Sequence, residues 1–307
     1  MPRYYLIMNP TCHSGRGRRH FDRIISSFRA LGETEVHYTS GYEDATLSCV
    51  AAIEQGFDVI VAVGGDGTIN EVLNGFFYEK DRSSKAKLGV VHVGTSPDFN
   101  LCHKIPTDID DAIKVIGTGK TKKIDLGRID FTDIKGEQVV RYFASNVNIG
   151  LGPLVANKAN SRHRKYLGDF LGTLVATLGS LMRFKPVRIS VKIDGEPAVI
   201  LDNLINVTIG KDPYIASGMR VFHDIAPDDG KLYMLSVQKK GLLSLLARIP
   251  DLYMGNFLKY KGASLRYIKE ITIESDKESL VEFDGDARGY LPAAISVVSR
   301  TMEVIVP

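Results

Sequence analysis

The sequence predicts an α/β protein in which an N-terminal domain built on a parallel sheet precedes a C-terminal antiparallel β-sandwich domain. Up to about residue 118, strand-like apolar runs alternate with helix-like segments, the pattern of crossover helices joining parallel strands. After Lys122-Lys123-Ile124-Asp125-Leu126-Gly127 the chain becomes β-rich, as in an antiparallel sandwich. Within the first of these textures, Val59-Ile60-Val61-Ala62-Val63 runs straight into Gly64-Gly65-Asp66-Gly67-Thr68, a buried strand emptying into a glycine loop.

Taken in order, strands are expected over 4–8, 35–38, 59–63 and 88–92, with helices over 21–31, 46–55 and 69–78. In the second domain, strands are expected over 142–148, 187–193, 199–209, 232–237, 270–274 and 301–306, interrupted by helical patches over 161–182 and 242–253. We divide the chain into a domain over 1–126 and a domain over 127–307, with the last strand returning to the first.

Composition narrows the function classes. A chain of 307 residues, 44% hydrophobic with 29 glycines and 12 prolines, can bury two cores. A net charge of +3 is too balanced for a dedicated nucleic-acid binder. Three cysteines, Cys12, Cys49 and Cys102, without a CxxC pair, point to a reducing compartment and away from a disulfide scaffold or structural zinc. The first residues lack the apolar core of a signal peptide, and the most apolar later stretch, 167–182, carries Asp169 and falls short of the ~20 residues that span a bilayer. The chain therefore reads as cytoplasmic, with any membrane contact peripheral. The basic run Lys158, Arg162, His163, Arg164 and Lys165 before an apolar stripe suits anionic headgroups, and equally a solvated face.

The glycine loop carries the chemistry. Backbone amides of the glycines and of the following helix start can cradle phosphate oxygens, and Thr68 reads as the cap of that helix. Asp66 would repel those oxygens unless Mg²⁺ lay between them. These five letters alone also fit a tight turn with an Asx cap, so the other strand ends decide. Ligands of parallel sheets bind at the carboxyl ends of the strands. There the sequence offers Asn9-Pro10-Thr11-Cys12-His13-Ser14-Gly15 after the first strand, Thr39 after the second, the glycine loop after the third, and Gly94-Thr95-Ser96-Pro97-Asp98-Phe99 after the fourth.

These loops resemble those of the diacylglycerol kinase family of lipid kinases, related in the nucleotide domain to NAD kinases. The resemblance extends over nearly the whole chain, because Ala226-Pro227-Asp228-Asp229-Gly230-Lys231-Leu232 and Phe283-Asp284-Gly285-Asp286 look like two later family segments in the right order. It implies ATP contacts at Asn9, Pro10, Thr11, Ser14, Gly15, Thr39, Gly65, Asp66, Gly67, Thr68, Ile69, Asn70, Glu71 and Thr95. It implies a catalytic Mg²⁺ network with Asp66, Asp98 and Asp125, and a second, structural Mg²⁺ held by Asp229 and the carbonyls of Ala226 and Lys231. It makes Asp286 the base on a lipid hydroxyl. Three departures stand out: two extra residues around Cys12-His13, Ser96-Pro97 where the family has Gly-Asn, and Asp286 where Glu is typical. Proline removes one N–H from the fourth loop.

Other motifs have plainer readings. Gly117-Thr118-Gly119-Lys120-Thr121 resembles a P-loop ending but lacks its upstream glycine, so it reads as a helix C-cap followed by a linker. Asp284-Gly285 alone is an ordinary hairpin turn, and Asp228-Asp229-Gly230 could be a solvated one. The expectation is a lipid kinase using ATP and Mg²⁺ on a membrane lipid, diacylglycerol first, at the inner face of the membrane, with no nucleic-acid partner and a homodimer left open. The rivals are an NAD kinase-like enzyme and a nucleotide- or lipid-binding protein with weakened catalysis.

Overall fold

The computed structural model describes residues 1–78, 85–158, 179, 181, 184–216, 219–221, 224–248, 250–251, 254–283 and 286–307. The chain forms two compact units, one of residues 1–124 and 300–307, the other of residues 125–299. The protein is mixed α/β, and among the described residues most helices lie in the first unit.

In the first unit, β1 (Arg3–Met8) lies between β2 (Glu33–Tyr38) and β3 (Val59–Gly64), and β3 pairs in turn with β4 (Lys87–His92). These pairings are parallel, and Val304 joins beside Leu88. Every residue of β3 is buried, as its unbroken apolar run requires of a strand covered on both faces. Helix α1 (Phe21–Leu31) places Phe21, Ile24 and Phe28 on one stripe and buries it. Phe28 meets Tyr4 with ring centroids 5.2 Å apart. Such fully buried side chains contribute roughly 1.5–3 kcal/mol each. Helix α2 (Asp44–Glu54) packs along α3 (Asp66–Gly75).

Helix α3 corrects the expected 69–78. It begins at Asp66, with Gly65 in extended backbone as its cap and no side-chain cap bond. Thr68 is therefore inside the first turn rather than capping it, because glycine at 65 takes the cap position without a side chain. Short helices α4 (Asp98–His103) and α5 (Ile109–Thr118) follow β4. Asp108 caps α5 by accepting from the N–H groups of Asp110 and Asp111. Gly119 closes it in left-handed conformation at φ 64°, as the C-cap reading expects. No linker follows, since β5 (Thr121–Asp133) starts at once.

In the second unit the pairings are antiparallel, with β5 beside β6 (Gln138–Phe143) and β10 (Tyr214–Ala216) beside β11 (Met219–Arg220). β7 (Asn146–Gly150) lies between β9 (Val199–Gly210) and β15 (Leu280–Phe283), while β9 continues to β12 (Leu232–Gln238) and β13 (Ala263–Ile268). β8 (Val187–Ile193) and β14 (Glu270–Glu274) pair with each other and with β9 and β16 (Asp286–Ile305) respectively. Ile149, Val191, Val207, Ile209, Ile273 and Val281 belong to one buried cluster, each reached by alternation along its strand. Of the expected helix over 242–253, Leu242–Leu246 and residues 250–251 are helical, and residues 249, 252 and 253 lie outside the described residues. The basic run from Arg162 and most of the expected helix over 161–182 lie outside the described residues. Among the described residues no helix is long and apolar enough to cross a membrane.

Candidate active site

In the first unit the expected nucleotide residues gather at the carboxyl ends of the strands. Asn9 is the tie between them. Its N–H donates to Val63 O at 3.0 Å, and its Nδ2 donates to Thr68 Oγ1 at 3.0 Å. Its Oδ1 accepts from both the N–H and the hydroxyl of Thr11, at 2.9 and 2.8 Å. One side chain thus fixes the first loop to the start of α3. The Thr39 N–H donates to Met8 O at 2.9 Å, and the following turn is pinned by Asp44, which accepts from the Ser40 N–H and hydroxyl at 2.6 and 2.7 Å. Glu71 and Asn70 ride on the same helix as Asp66, with Asn70 buried and its carbonyl accepting from Asn74 Nδ2 at 2.9 Å.

Asp66 occupies the first turn of α3, where the partial positive charge of the helix end favours a carboxylate and outward-facing N–H groups favour phosphate. Gly94 lets the fourth loop touch the third: a Cβ there would collide with Gly65 Cα. The Val93 N–H donates to Gly64 O at 3.0 Å, locking the two loops together. Thr95, Ser96 and Pro97 are half-buried, and the Ser96 hydroxyl donates to Asp98 Oδ1 at 2.8 Å. His92 Nε2 lies 2.9 Å from Ser96 O. Burial pushes its pKa down to about 4 despite that bond, so the ring is neutral near pH 7 and must carry its proton on Nε2 to meet a carbonyl. His92 escaped the sequence reading, although it is the polar end of an otherwise apolar strand.

The two extra residues of the first loop have a definite shape. His13, Ser14 and Gly15 stand consecutively in the left-handed region at φ 50°, 55° and 82°, so the chain makes a short left-handed turn there. Such conformations cost roughly 1–2 kcal/mol per non-glycine residue. Ser14 is exposed and Gly15 half-buried. Cys12 turns back under the loop, its Sγ 3.6 Å from Val93 O, and burial pushes its thiol up to about 11, which keeps it protonated.

In the second unit, Asp125, Asp229 and Lys231 come together around Lys211, which the sequence did not reveal. Lys211 Nζ donates to Asp125 Oδ2 at 2.8 Å, Asp229 Oδ1 at 2.6 Å and Lys231 O at 2.9 Å. The Gly230 N–H donates to Asp125 Oδ2 at 2.7 Å, and the Ala226 N–H donates to Asp229 Oδ2 at 3.2 Å. Burial alone would raise Asp229, but its bonds from Lys211, Ala226 and Lys231 outweigh that and hold it below the ordinary carboxylate range. The backbone of Asp286 pairs with Phe283 at the start of β16, and Asp284 and Gly285 lie outside the described residues.

A buried polar ladder crosses three strands of this unit. Asn148 Nδ2 donates to Asn146 Oδ1 and to Glu282 Oε2, both at 2.8 Å, while Asn148 Oδ1 accepts from Thr208 Oγ1 at 2.7 Å and Asn206 Nδ2 at 3.1 Å. The alternation Asn146-Val147-Asn148 and Asn206-Val207-Thr208 places these groups on one sheet face, a signal present in the sequence. Among the described residues no three His, Cys, Asp or Glu side chains cluster to hold a metal. Mg²⁺ does not require such a cluster when phosphate oxygens and waters complete its shell, and the hard carboxylates of Asp66 and Asp98, each in the first turn of a helix, suit it.

An aspartate in the first turn of a helix entered through a glycine loop, in an α/β unit followed by a β-rich unit, is the arrangement expected of a kinase of the type shared by lipid kinases and NAD kinases. The chain belongs to the diacylglycerol kinase family. Residues 3–129 match the diacylglycerol kinase catalytic domain, and residues 145–306 match the YegS C-terminal NAD kinase beta sandwich-like domain. It is 29% identical over 303 residues to a diacylglycerol kinase of Staphylococcus haemolyticus, covering 98% of this chain and 87% of that one. A Staphylococcus aureus diacylglycerol kinase is likewise 29% identical, with 98% and 91% covered. In fold, the chain is similar to a Bacillus anthracis diacylglycerol kinase (TM-score 0.69, 20% identity, 99% and 97% covered) and to yeast NADH kinase (TM-score 0.57, 11% identity, 100% and 84% covered).

Proposed function

We propose that the protein transfers the γ-phosphoryl group of ATP to the hydroxyl of diacylglycerol, giving phosphatidic acid. The observation that carries this reading is Asp66 in the first turn of α3, with Asn9 bracing that turn through Thr68, in a chain of this family. Asn9, Pro10, Thr11, Ser14, Gly15, Thr39, Gly65 to Glu71 and Thr95 hold the nucleotide, and Gly94 lets the third and fourth loops approach closely enough to share it. Asp66 and Asp98 would hold Mg²⁺, which would neutralise charge building on the phosphoryl oxygens; Asp125, expected with them, is instead buried against Lys211 and the Gly230 N–H. Phosphoryl transfer leaves little covalent work for the protein, so positioning dominates and a single carboxylate, Asp286, accepts the hydroxyl proton. Its shorter side chain, relative to the family's Glu, asks the lipid to sit about one methylene closer.

The enzyme works at the cytoplasmic face of the membrane, which it contacts peripherally to reach a lipid. The test is transfer of label from γ-labelled ATP across a panel of lipid alcohols and NAD. Label in phosphatidic acid supports the reading, and label in NADP, or in none of the lipid products, overturns it.

A further inference from the structure

The family resemblance implies a structural Mg²⁺ on Asp229 and the carbonyls of Ala226 and Lys231, and the residues present do not fit it. We infer that the ammonium of Lys211 occupies that role permanently, making the second unit independent of a divalent ion at this turn.

Lys211 is a buried residue whose side chain is 3% exposed and whose N–H donates to Ser145 O at 2.9 Å, so its stem enters the unit from a fixed backbone. An ammonium has three protons and no acceptor. Here all three have partners: Asp125 Oδ2, Asp229 Oδ1 and Lys231 O. Two of these, the Asp229 carboxylate and the Lys231 carbonyl, are among the groups expected to ligate the metal. Mg²⁺ at its usual 2.0–2.1 Å would need those oxygens and would stand against the ammonium already bonded to them. The turn is completed by protein donors, with the Gly230 N–H on Asp125 Oδ2, and the Asp125 N–H donating to Pro227 O at 2.8 Å. An isolated buried ammonium is costly, and one that faces two carboxylates and a carbonyl is compensated. The lysine thus does what the ion would do, joining the turn over 226–231 to Asp125.

Melting of the full-length protein, stripped of metal and compared in chelator and in millimolar Mg²⁺ without nucleotide, tests this directly, with Asp229→Asn alongside. The inference expects the wild-type melting temperature to be the same in both buffers. A wild-type drop in chelator that Asp229→Asn does not share would overturn it, because a divalent ion would then be resident on Asp229. Removing the ammonium reverses the expectation. Lys211→Ala should lose roughly 10 °C in chelator, as expected when one partner of a buried charge cluster is removed. It should regain part of that loss with Mg²⁺, now able to enter between the carboxylates. A Lys211→Ala protein as stable as wild type in chelator would overturn the inference equally. Should Lys211→Ala fail to fold, the wild-type comparison decides alone.

Discussion

Asn9→Ala is the perturbation that the site geometry constrains best. The side chain gives one hydrogen bond to Thr68 and receives two from Thr11, at 3.0, 2.9 and 2.8 Å. A typical neutral hydrogen bond contributes about 1 kcal/mol net and less where water competes, so losing the part-buried bond to Thr68 and the two exposed ones from Thr11 costs about 2 kcal/mol. That is a large fraction of a stability of roughly 5–15 kcal/mol, and it corresponds to a fall in melting temperature of roughly 5–10 °C. The functional loss should exceed the stability loss, because Thr68 belongs to the helix start and Thr11 to the first loop. With both unbraced, ATP affinity is expected to fall about tenfold, equivalent to about 1.4 kcal/mol. Asn9→Asp separates the two effects. It retains an acceptor for Thr11, and the Thr68 hydroxyl can reverse to donate, so most of the melting temperature should return. The new negative charge beside the phosphates should keep ATP affinity low. The assays are thermal melting and nucleotide titration of both variants. Wild-type melting and wild-type ATP affinity in Asn9→Ala would refute the idea that this side chain organises the cradle.

Three further outcomes follow from the site. Asp66→Ala should abolish turnover while leaving melting nearly unchanged, and a purified variant with near-normal activity would remove Asp66 from the metal network. Asp286→Asn should lower kcat by roughly 10² or more with ATP affinity preserved, whereas Asp286→Glu should keep substantial activity; steady-state kinetics of both variants check this. His92 is lowered by burial from 6.5 to about 4, so it contributes up to about 3 kcal/mol above pH 6.5. Since the folded form binds the proton more weakly, that contribution declines as pH falls, with about 2 kcal/mol gone by pH 5. Because burial lowers His103 to about 4 as well, the measure is the difference between wild type and His92→Gln in denaturant unfolding at pH 7.5 and pH 5, and the variant should show the smaller loss at pH 5.

Much of the first unit was legible because its signals are local. Five apolar residues ending at glycine, four of them β-branched, favour a buried strand, and the structure buries all of β3. The stripe at Phe21, Ile24 and Phe28 likewise announces a one-sided helix. The start of α3 was misread because Asp66, Thr68 and Asn70 are all cap-forming residue types in a row, and only the extended backbone at Gly65 selects among starts. β5 was missed because its polar Lys122, Lys123 and Asp125 break the apolar alternation, and Asp125 is buried through partners far along the chain. Lys211 was illegible for the same reason. A lysine reads as solvent-exposed until carboxylates 86 and 18 residues away are seen on it. The polar ladder of Asn146, Asn148, Asn206 and Thr208 is visible as an alternation, but asparagines on strands ordinarily face solvent, so the pattern alone does not mark it as buried.

The most direct test of the central claim places diacylglycerol micelles and NAD in one tube with γ-labelled ATP and Mg²⁺, and follows label in wild type and in Asp286→Asn. The account predicts label in phosphatidic acid for wild type and roughly a hundredfold less for Asp286→Asn, with nothing in NADP. Label in NADP, or equal labelling of phosphatidic acid by the two proteins, would contradict it.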